Sequence, residues 1–314
     1  MTGGGQGVVG RTVTAMTAPV VVRGRRLPPL WLVALAILGL FLLAILAPAR
    51  WTGFLDEHAY WLAARRLIDG EPLYDPTATA ITPYAYWYPP VFAQALVPFA
   101  AVLGPEAFSW AWTALLLGCL WWLGGRSVVG GLALVAFLPV AIELWFRNVH
   151  LPLAVLVAGG LLGAPWLFAL GVLVKFAPGL GIVYLAARGR WREALLVSLV
   201  AATIVVVSVL IAPQLWREYL DILVARGPAD EAALVPIPYW LRLGTGGVLA
   251  VVAGRLRPRA GDPLLVVAVV IASPTLWVAA LAMLAALVPV VRGGRPLGQP
   301  EGGAGGPTPG AGTH

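Results

Sequence analysis

Residues 164 to 187 read APWLFALGVLVKFAPGLGIVYLAA, and Arg188, Arg190 and Arg192 follow at once. At 1.5 Å of rise per residue the stretch is long enough to cross the roughly 30 Å hydrocarbon core of a bilayer. Its one charge, Lys175, stands about 16 Å along the helix from Ala164, near the bilayer centre. A lysine facing lipid at that depth costs several kcal/mol, so it faces a wet cavity or a partner. Pro178, less than one turn on, kinks the helix and frees carbonyls beside the lysine. The arginines beyond mark a cytoplasmic end.

Further apolar runs lie near 30 to 48, 88 to 104, 106 to 123, 128 to 146, 150 to 163, 191 to 212, 236 to 254, 263 to 273 and 274 to 292. The expected fold is therefore all-α, a polytopic transmembrane bundle of about 9–10 helices. Composition agrees: 314 residues are 60% hydrophobic and 11% charged, where a soluble domain carries roughly 25% charged residues. The run Leu30 to Ala47, behind Arg23, Arg25 and Arg26 and ahead of Ala47-Pro48-Ala49, has the outline of a cleavable secretory signal. At roughly 18 residues it exceeds the usual signal core and is read as an uncleaved first span.

The net charge of +7 comes from arginine clusters at helix ends, not from a basic face suited to nucleic acid. Those clusters, Arg23/Arg25/Arg26, Arg188/Arg190/Arg192, Arg255/Arg257/Arg259 and Arg292/Arg295, are expected inside. The helix count puts all four on that side, with loops 49–87 and 213–235 outside. The expected organisation is a disordered cytoplasmic N-terminus over 1–22, a transmembrane domain over 23–292 and a disordered Gly/Pro-rich cytoplasmic tail over 293–314. The single cysteine, Cys119, excludes an internal disulfide and a cysteine metal site. No internal repeat is evident, which counts against transporter folds built on repeated halves.

Polar residues in such a chain are where chemistry concentrates. Asp56 and Glu57 follow the first span at the membrane surface, where partial desolvation raises a carboxylate's proton affinity and suits it to general-base work; the alternative is that Asp56 caps an amphipathic helix over 57–69. That helix carries Ala59, Leu62, Ala63, Leu67 and Ile68 on its apolar side and fits the interface, with Arg65 and Arg66 as lipid-phosphate contacts or snorkelling anchors. Tyr84, Tyr86, Trp87 and Tyr88 form either an aromatic belt or a sugar-stacking platform. Glu143, Arg147, Asn148 and His150 make the densest polar patch in the apolar middle; Glu143 and Arg147 are spaced to pair on one helix face. Lys175 either serves a substrate or pairs with Glu143. Too few ligands converge for a metal site. The helix count puts this patch near the cytoplasmic side, away from Asp56, unless 128 to 163 forms broken hairpins at Pro139, Pro152 and Gly159-Gly160.

Four stretches, in order, resemble glycosyltransferase family 87, the polyprenyl-phosphate-mannose-dependent mannosyltransferases of the GT-C superfamily. They are Asp56 to Tyr60 leading into Gly70-Glu-Pro-Leu-Tyr74-Asp75-Pro76; Tyr88-Pro89-Pro90 through Pro98; Asn148-Val149-His150 with Lys175-Phe-Ala-Pro178 ahead of Arg190-Trp191-Arg192; and Ser273-Pro274-Thr275-Leu276-Trp277. The resemblance implies a GT-C fold with a site opening outside and an aspartate of the first outer loop as catalytic base, a position that Asp56 matches. It implies a polyprenyl-phosphate sugar donor and a glycolipid or glycan acceptor, with Lys175, Arg147, His150, Asn148, Tyr60 and Tyr88 as candidates for holding donor phosphate or sugar. Glu57, Glu143, Arg65, Arg66 and Trp277 are secondary candidates. Two departures stand out. Arg147 occupies a position that is often glycine in the family, and Val278-Ala279-Ala280 stand where many members carry histidine.

The expectation is thus an inverting membrane hexosyltransferase with no cofactor and no metal, in a bacterial plasma membrane among its lipids, its site facing outside. The alternative is a transporter or flippase for a lipid-linked or small polar substrate, using the same buried charges as a path. A non-catalytic scaffold is disfavoured because Lys175 and Glu143 are costly without a role.

Overall fold

In the computed structural model, residues 20–22, 25–27, 56–78, 82–226 and 237–292 are described. The expected first span near 30 to 48 and the 293–314 tail lie outside these residues. Val20–Val22 pairs antiparallel with Arg25–Leu27 as strands β1 and β2. Everything else regular among the described residues is helical: α1 (Asp56–Asp69), α2 (Pro90–Val102), α3 (Pro105–Leu123), α4 (Val128–Val135), α5 (Leu138–Phe146), α6 (His150–Leu161) and α7 (Leu167–Val174). These are followed by α8 (Leu180–Ala187), α9 (Trp191–Ile211), α10 (Pro213–Arg226), α11 (Tyr239–Arg255), α12 (Pro258–Ile271) and α13 (Leu287–Val291). More tightly wound 3-10 segments occupy Ala177–Gly179 and Val278–Ala286.

Proline sits at or next to the first position of α2, α3, α5 and α12, where its missing N–H costs nothing. Among the described residues, α9 alone is long and apolar enough to cross a membrane unaided; α3 with α4 and α5 with α6 meet both conditions only as pairs, bent by 106° and 119°. Two of the expected runs are broken, the second at the kink expected from Pro178. The 128 to 146 run stops after Val135 and restarts at Leu138, and the 164 to 187 run is interrupted from Lys175 to Gly179. Loop 213 to 235, expected to be irregular, begins with the helix α10.

Close approach of small residues joins the helices, as it does wherever apolar surface alone gives no driving force between them. A methyl on Gly254 would stand 2.5 Å from Ala187 Cβ, and one on Gly246 2.8 Å from Ala272 Cβ, so α11 lies tight against α8 and α12. Phe168 of α7 is fully buried between two glycines. A methyl on Gly160 of α6 would meet its ring at 2.8 Å, and one on Gly181 of α8 at 2.4 Å. That ring locks three helices in one place, immediately behind the interruption that carries Lys175.

Overpacking a tight core typically costs about 1–3 kcal/mol. Gly181→Ala is therefore expected to lower the melting temperature of the detergent-solubilised protein, and Phe168→Leu in the same chain to restore part of it. Unchanged melting of Gly181→Ala would show that the ring gives way freely.

Candidate active site

The site is built where three helix ends meet. The first is the start of α1, which offers Asp56 and Glu57. The second is the break between α5 and α6. Arg147 ends α5 in the left-handed conformation, with φ 53° and ψ 44°; such a turn costs an L-residue roughly 1–2 kcal/mol. A glycine would take this turn without that cost. The sharp turn brings Asn148 to α1, while His150 faces Glu143 and Lys175. The third is the interruption after α7, where Lys175 takes an extended conformation, φ −143° and ψ 144°.

Asn148 is the junction. Its Nδ2 donates to Asp56 Oδ2. Its Oδ1 accepts from the Val149 N–H at 2.7 Å and from the hydroxyls of Tyr60 and Tyr88, each at 3.2 Å. The two hydroxyls lie 3.0 Å apart. A backbone N–H can only donate and a carboxylate only accepts, so the amide has one workable orientation. Asp56 is half-buried, and its carboxyl is pushed up to about 7, chiefly by burial and then by the Glu143 charge. Lys175 and the Asn148 amide pull it the other way. An acid poised near 7 exists in both forms at neutral pH, which is what a general base requires.

A second line of groups adjoins Tyr88. Lys175 Nζ lies 5.4 Å from the centre of the Tyr88 ring and 2.9 Å from His150 Nε2. His150 Nδ1 lies 2.8 Å from Glu143 Oε2, while Glu143 Oε1 accepts from the N–H groups of His150 at 2.5 Å and Leu151 at 3.2 Å. With Nε2 facing an ammonium, the imidazole proton belongs on Nδ1, directed at the carboxylate. Glu143 is fully buried and Lys175 nearly so. The expected direct pairing of Lys175 with Glu143 is replaced by a relay through His150.

The expected i,i+4 pairing of Glu143 with Arg147 is also replaced. Because the helix ends at Arg147 in a left-handed turn, the guanidinium swings to Glu57, Nη1 to Oε1 at 2.9 Å, with both groups buried. Ser109 completes this cluster, donating to Glu57 Oε1 at 2.8 Å and contacting Arg147 Nη1. The Trp112 indole donates to the Arg147 carbonyl at 2.8 Å. Burial pushes the Glu57 carboxyl upward, against Ser109 and Arg147. Ser109 and Trp112 escaped the sequence reading; the signal present was a polar residue one turn from another, Thr113, on an otherwise apolar helix.

Arg65 pairs with Asp69 at 2.8 Å on the outer side of α1, and Arg66 reaches the Leu73 carbonyl at 3.5 Å. Both sit about 14 Å along α1 from Asp56, so the structure does not bring them into the cluster. The face of α1 turned inward is Glu57, Ala59, Tyr60, Ala63 and Ala64, while Leu62 and Leu67 are half-buried and Ile68 exposed. Trp277 stands one layer away, its ring 5.3 Å from that of Phe146.

Removing one partner of a buried ion pair costs about 3–5 kcal/mol, because the other charge stays buried and unbalanced. Glu57→Gln is expected to lower the melting temperature markedly. Arg147→Gly in the same chain is expected to recover much of the loss, since it removes the stranded charge and relaxes the left-handed turn. No recovery in the double variant would refute the pair as the source of the loss.

With the geometry in place, comparison with known proteins can be read against it. The sequence model of glycosyltransferase family 87 matches residues 86–298, more than half of the chain. The match takes in Tyr88, Ser109, Glu143, Arg147, Asn148, His150, Lys175 and Trp277, while Asp56 and Glu57 precede it. No curated protein and no solved structure matches the chain. The family match extends over the part of the polar cluster from Tyr88 onward and over the broken helices that carry it, and the chain belongs to glycosyltransferase family 87, the membrane glycosyltransferases.

Proposed function

We propose that the protein moves a mannosyl or related hexosyl residue from a polyprenyl-phosphate carrier to a lipid-linked or cell-envelope glycan acceptor, on the outer face of a multi-pass plasma-membrane bundle. The observation that carries this reading is that Asn148 ties Asp56 to the Tyr60/Tyr88 pair, with Lys175 Nζ 5.4 Å from the centre of the Tyr88 ring. A proton acceptor and a fixed cation thus share one aromatic neighbour. Membership in a glycosyltransferase family sets aside the transporter reading.

In this scheme the Asp56 carboxylate takes the proton of the acceptor hydroxyl as its oxygen attacks the anomeric carbon. The bond from that carbon to the phosphate oxygen breaks on the opposite face, inverting the configuration, and the lipid phosphate leaves with the electron pair. Negative charge grows on the leaving phosphate, where a preorganised cation in a water-poor site is most effective. Lys175 is the candidate for that charge, held by His150 and Glu143. Arg147 is reassigned from phosphate contact to positioning, because Glu57 already balances it in a buried pair. Tyr60 and Tyr88 supply the polar edge and ring faces for the sugar. The donor is a monophosphate, so the scheme needs no divalent ion.

Asp56→Asn keeps shape and helix-starting ability while removing the base, and is expected to cost about 10²–10⁴ in turnover with melting near wild type. Wild-type turnover in this variant would remove the assignment. In the parent protein turnover should rise with pH toward about 7 and then level, because only the ionised carboxylate accepts the proton. Asn148→Leu and Lys175→Met remove influences that lower the Asp56 proton affinity, so each should move that acidic limb to higher pH; Glu143→Gln should move it lower. Limbs that stay fixed in all three would assign the titration to another group.

Donor class is tested separately. Purified protein given labelled polyprenyl-phosphate-mannose and a membrane lipid extract should form a glycosylated product that persists with a chelator present, and Lys175→Met should lower transfer at least tenfold. Robust transfer from a nucleotide sugar in the absence of lipid would overturn the reading.

A further inference from the structure

The helix α10, Pro213-Gln-Leu-Trp-Arg-Glu-Tyr-Leu-Asp-Ile-Leu-Val-Ala-Arg226, follows α9 after the single residue Ala212. The chain reverses sharply there. The Trp216 indole donates to Ser208 Oγ at 2.9 Å, although residues eight apart in a straight helix stand about 12 Å apart. Ser208 Oγ in turn donates to Gln94 Oε1 of α2 at 2.5 Å. Thus α10 is pinned at the end of α9, whose last residues Leu210 and Ile211 are 76% and 73% exposed, as befits a helix facing acyl chains.

At 100° per residue the side chains of α10 fall into three sectors. Tyr219 and Ile222 are buried, with Leu215 half-buried beside them. Leu223, Leu220 and Val224 occupy the next sector and are 44%, 56% and 81% exposed. Arg217, Asp221 and Gln214 occupy the third and are also exposed. A helix between protein and water needs only two sectors. A third that is apolar and uncovered, lying between the protein side and the charged side, is the pattern of a helix in the plane of a membrane interface, with protein on one flank, acyl chains below and water above. Trp216, which falls between Leu223 and Leu220 in the apolar sector and is half-buried, is the residue type that settles at that depth.

We infer that α10 is a membrane-docking helix whose Leu220, Leu223 and Val224 edge is seated among the acyl chains of the leaflet nearest the Asp56 cluster. Its other flank reaches the site: the Tyr219 ring lies 5.7 Å from that of Tyr74, in the segment after α1, and 6.4 Å from that of Phe176, next to Lys175. The lipid surface is thereby fixed beside the Lys175 cluster, the position a lipid-borne substrate needs. This inference rests on the proposed function only in taking the protein to sit in a bilayer.

The test uses the full chain with Cys119→Ala, reconstituted in nanodiscs and labelled with an environment-sensitive fluorophore at Leu220→Cys, Val224→Cys or Asp221→Cys. Labels at 220 and 224 should be quenched by nitroxide on lipid acyl chains and spared by aqueous iodide, and the label at 221 should behave in the opposite way. Iodide quenching at all three sites would place α10 in water and overturn the inference. Protection of 220 and 224 from both quenchers would show a protein surface, such as a second copy, covering the edge, and would equally overturn it. Depth is read whether or not sugar is transferred, so this result stands apart from the outcome of Asp56→Asn.

Discussion

A buried guanidinium against a buried carboxylate, Arg147 on Glu57, is the contact on which the rest of the site depends. Neither charge is tolerable alone in so apolar a setting, so each fixes the other. The pair joins residues 90 positions apart, binding the start of α1 to the break between α5 and α6. Asp56 is the neighbour of one partner and Asn148 the neighbour of the other, so the ion pair sets the register in which the amide meets the carboxylate. It also helps to offset a left-handed turn at an arginine, a conformation that favours glycine.

The broken helices follow from the same constraint. Irregular backbone at membrane depth survives only where protein or a wet cavity satisfies its polar groups. Here the interruptions at Arg147 to Val149 and at Lys175 to Gly179 fall beside one another, and each delivers a charged or polar side chain from a main chain that would otherwise run past. The glycine-flanked Phe168 ring stands close behind, giving the interrupted helices a rigid backing. Rigidity there matters because electrostatic stabilisation depends on charges that need not reorganise during reaction.

Much of the fold was legible because hydropathy is local. The apolar runs from 88 onward each correspond to helix in the structure, and α1 begins one residue from the expected start at 57. Asp56, Tyr60, Tyr88, Asn148, His150 and Lys175 were all named, since polar residues in apolar surroundings are conspicuous. Their connections were not legible. Spacing suggested that Glu143 pairs with Arg147, but one left-handed residue ends the helix and redirects the arginine across the molecule. Pro178 was expected to kink the helix beyond Lys175, whereas the helix stops before the lysine itself, which meets Glu143 through His150. The broken hairpin that brings Asn148 to Asp56 was conditionally foreseen from Pro139 and Pro152; the residue that turns the chain is Arg147. The helix α10 was missed because charges scattered among its leucines lower the average that a span search measures, while their angular order keeps it amphipathic.

The amide of Asn148 has a consequence of its own. It is a donor on one side and an acceptor on the other, engaged on both: Nδ2 toward Asp56, Oδ1 toward a main-chain N–H and two phenols. An aspartate in its place would have the same outline, volume and number of heavy atoms, yet would set two carboxylates face to face and hold a proton between them. Hydrolytic loss of a single ammonia from this side chain, a chemical ageing reaction of asparagine, would thus turn the donor that meets Asp56 into an acceptor without altering its outline. The vulnerability of the site lies in the polarity of one atom.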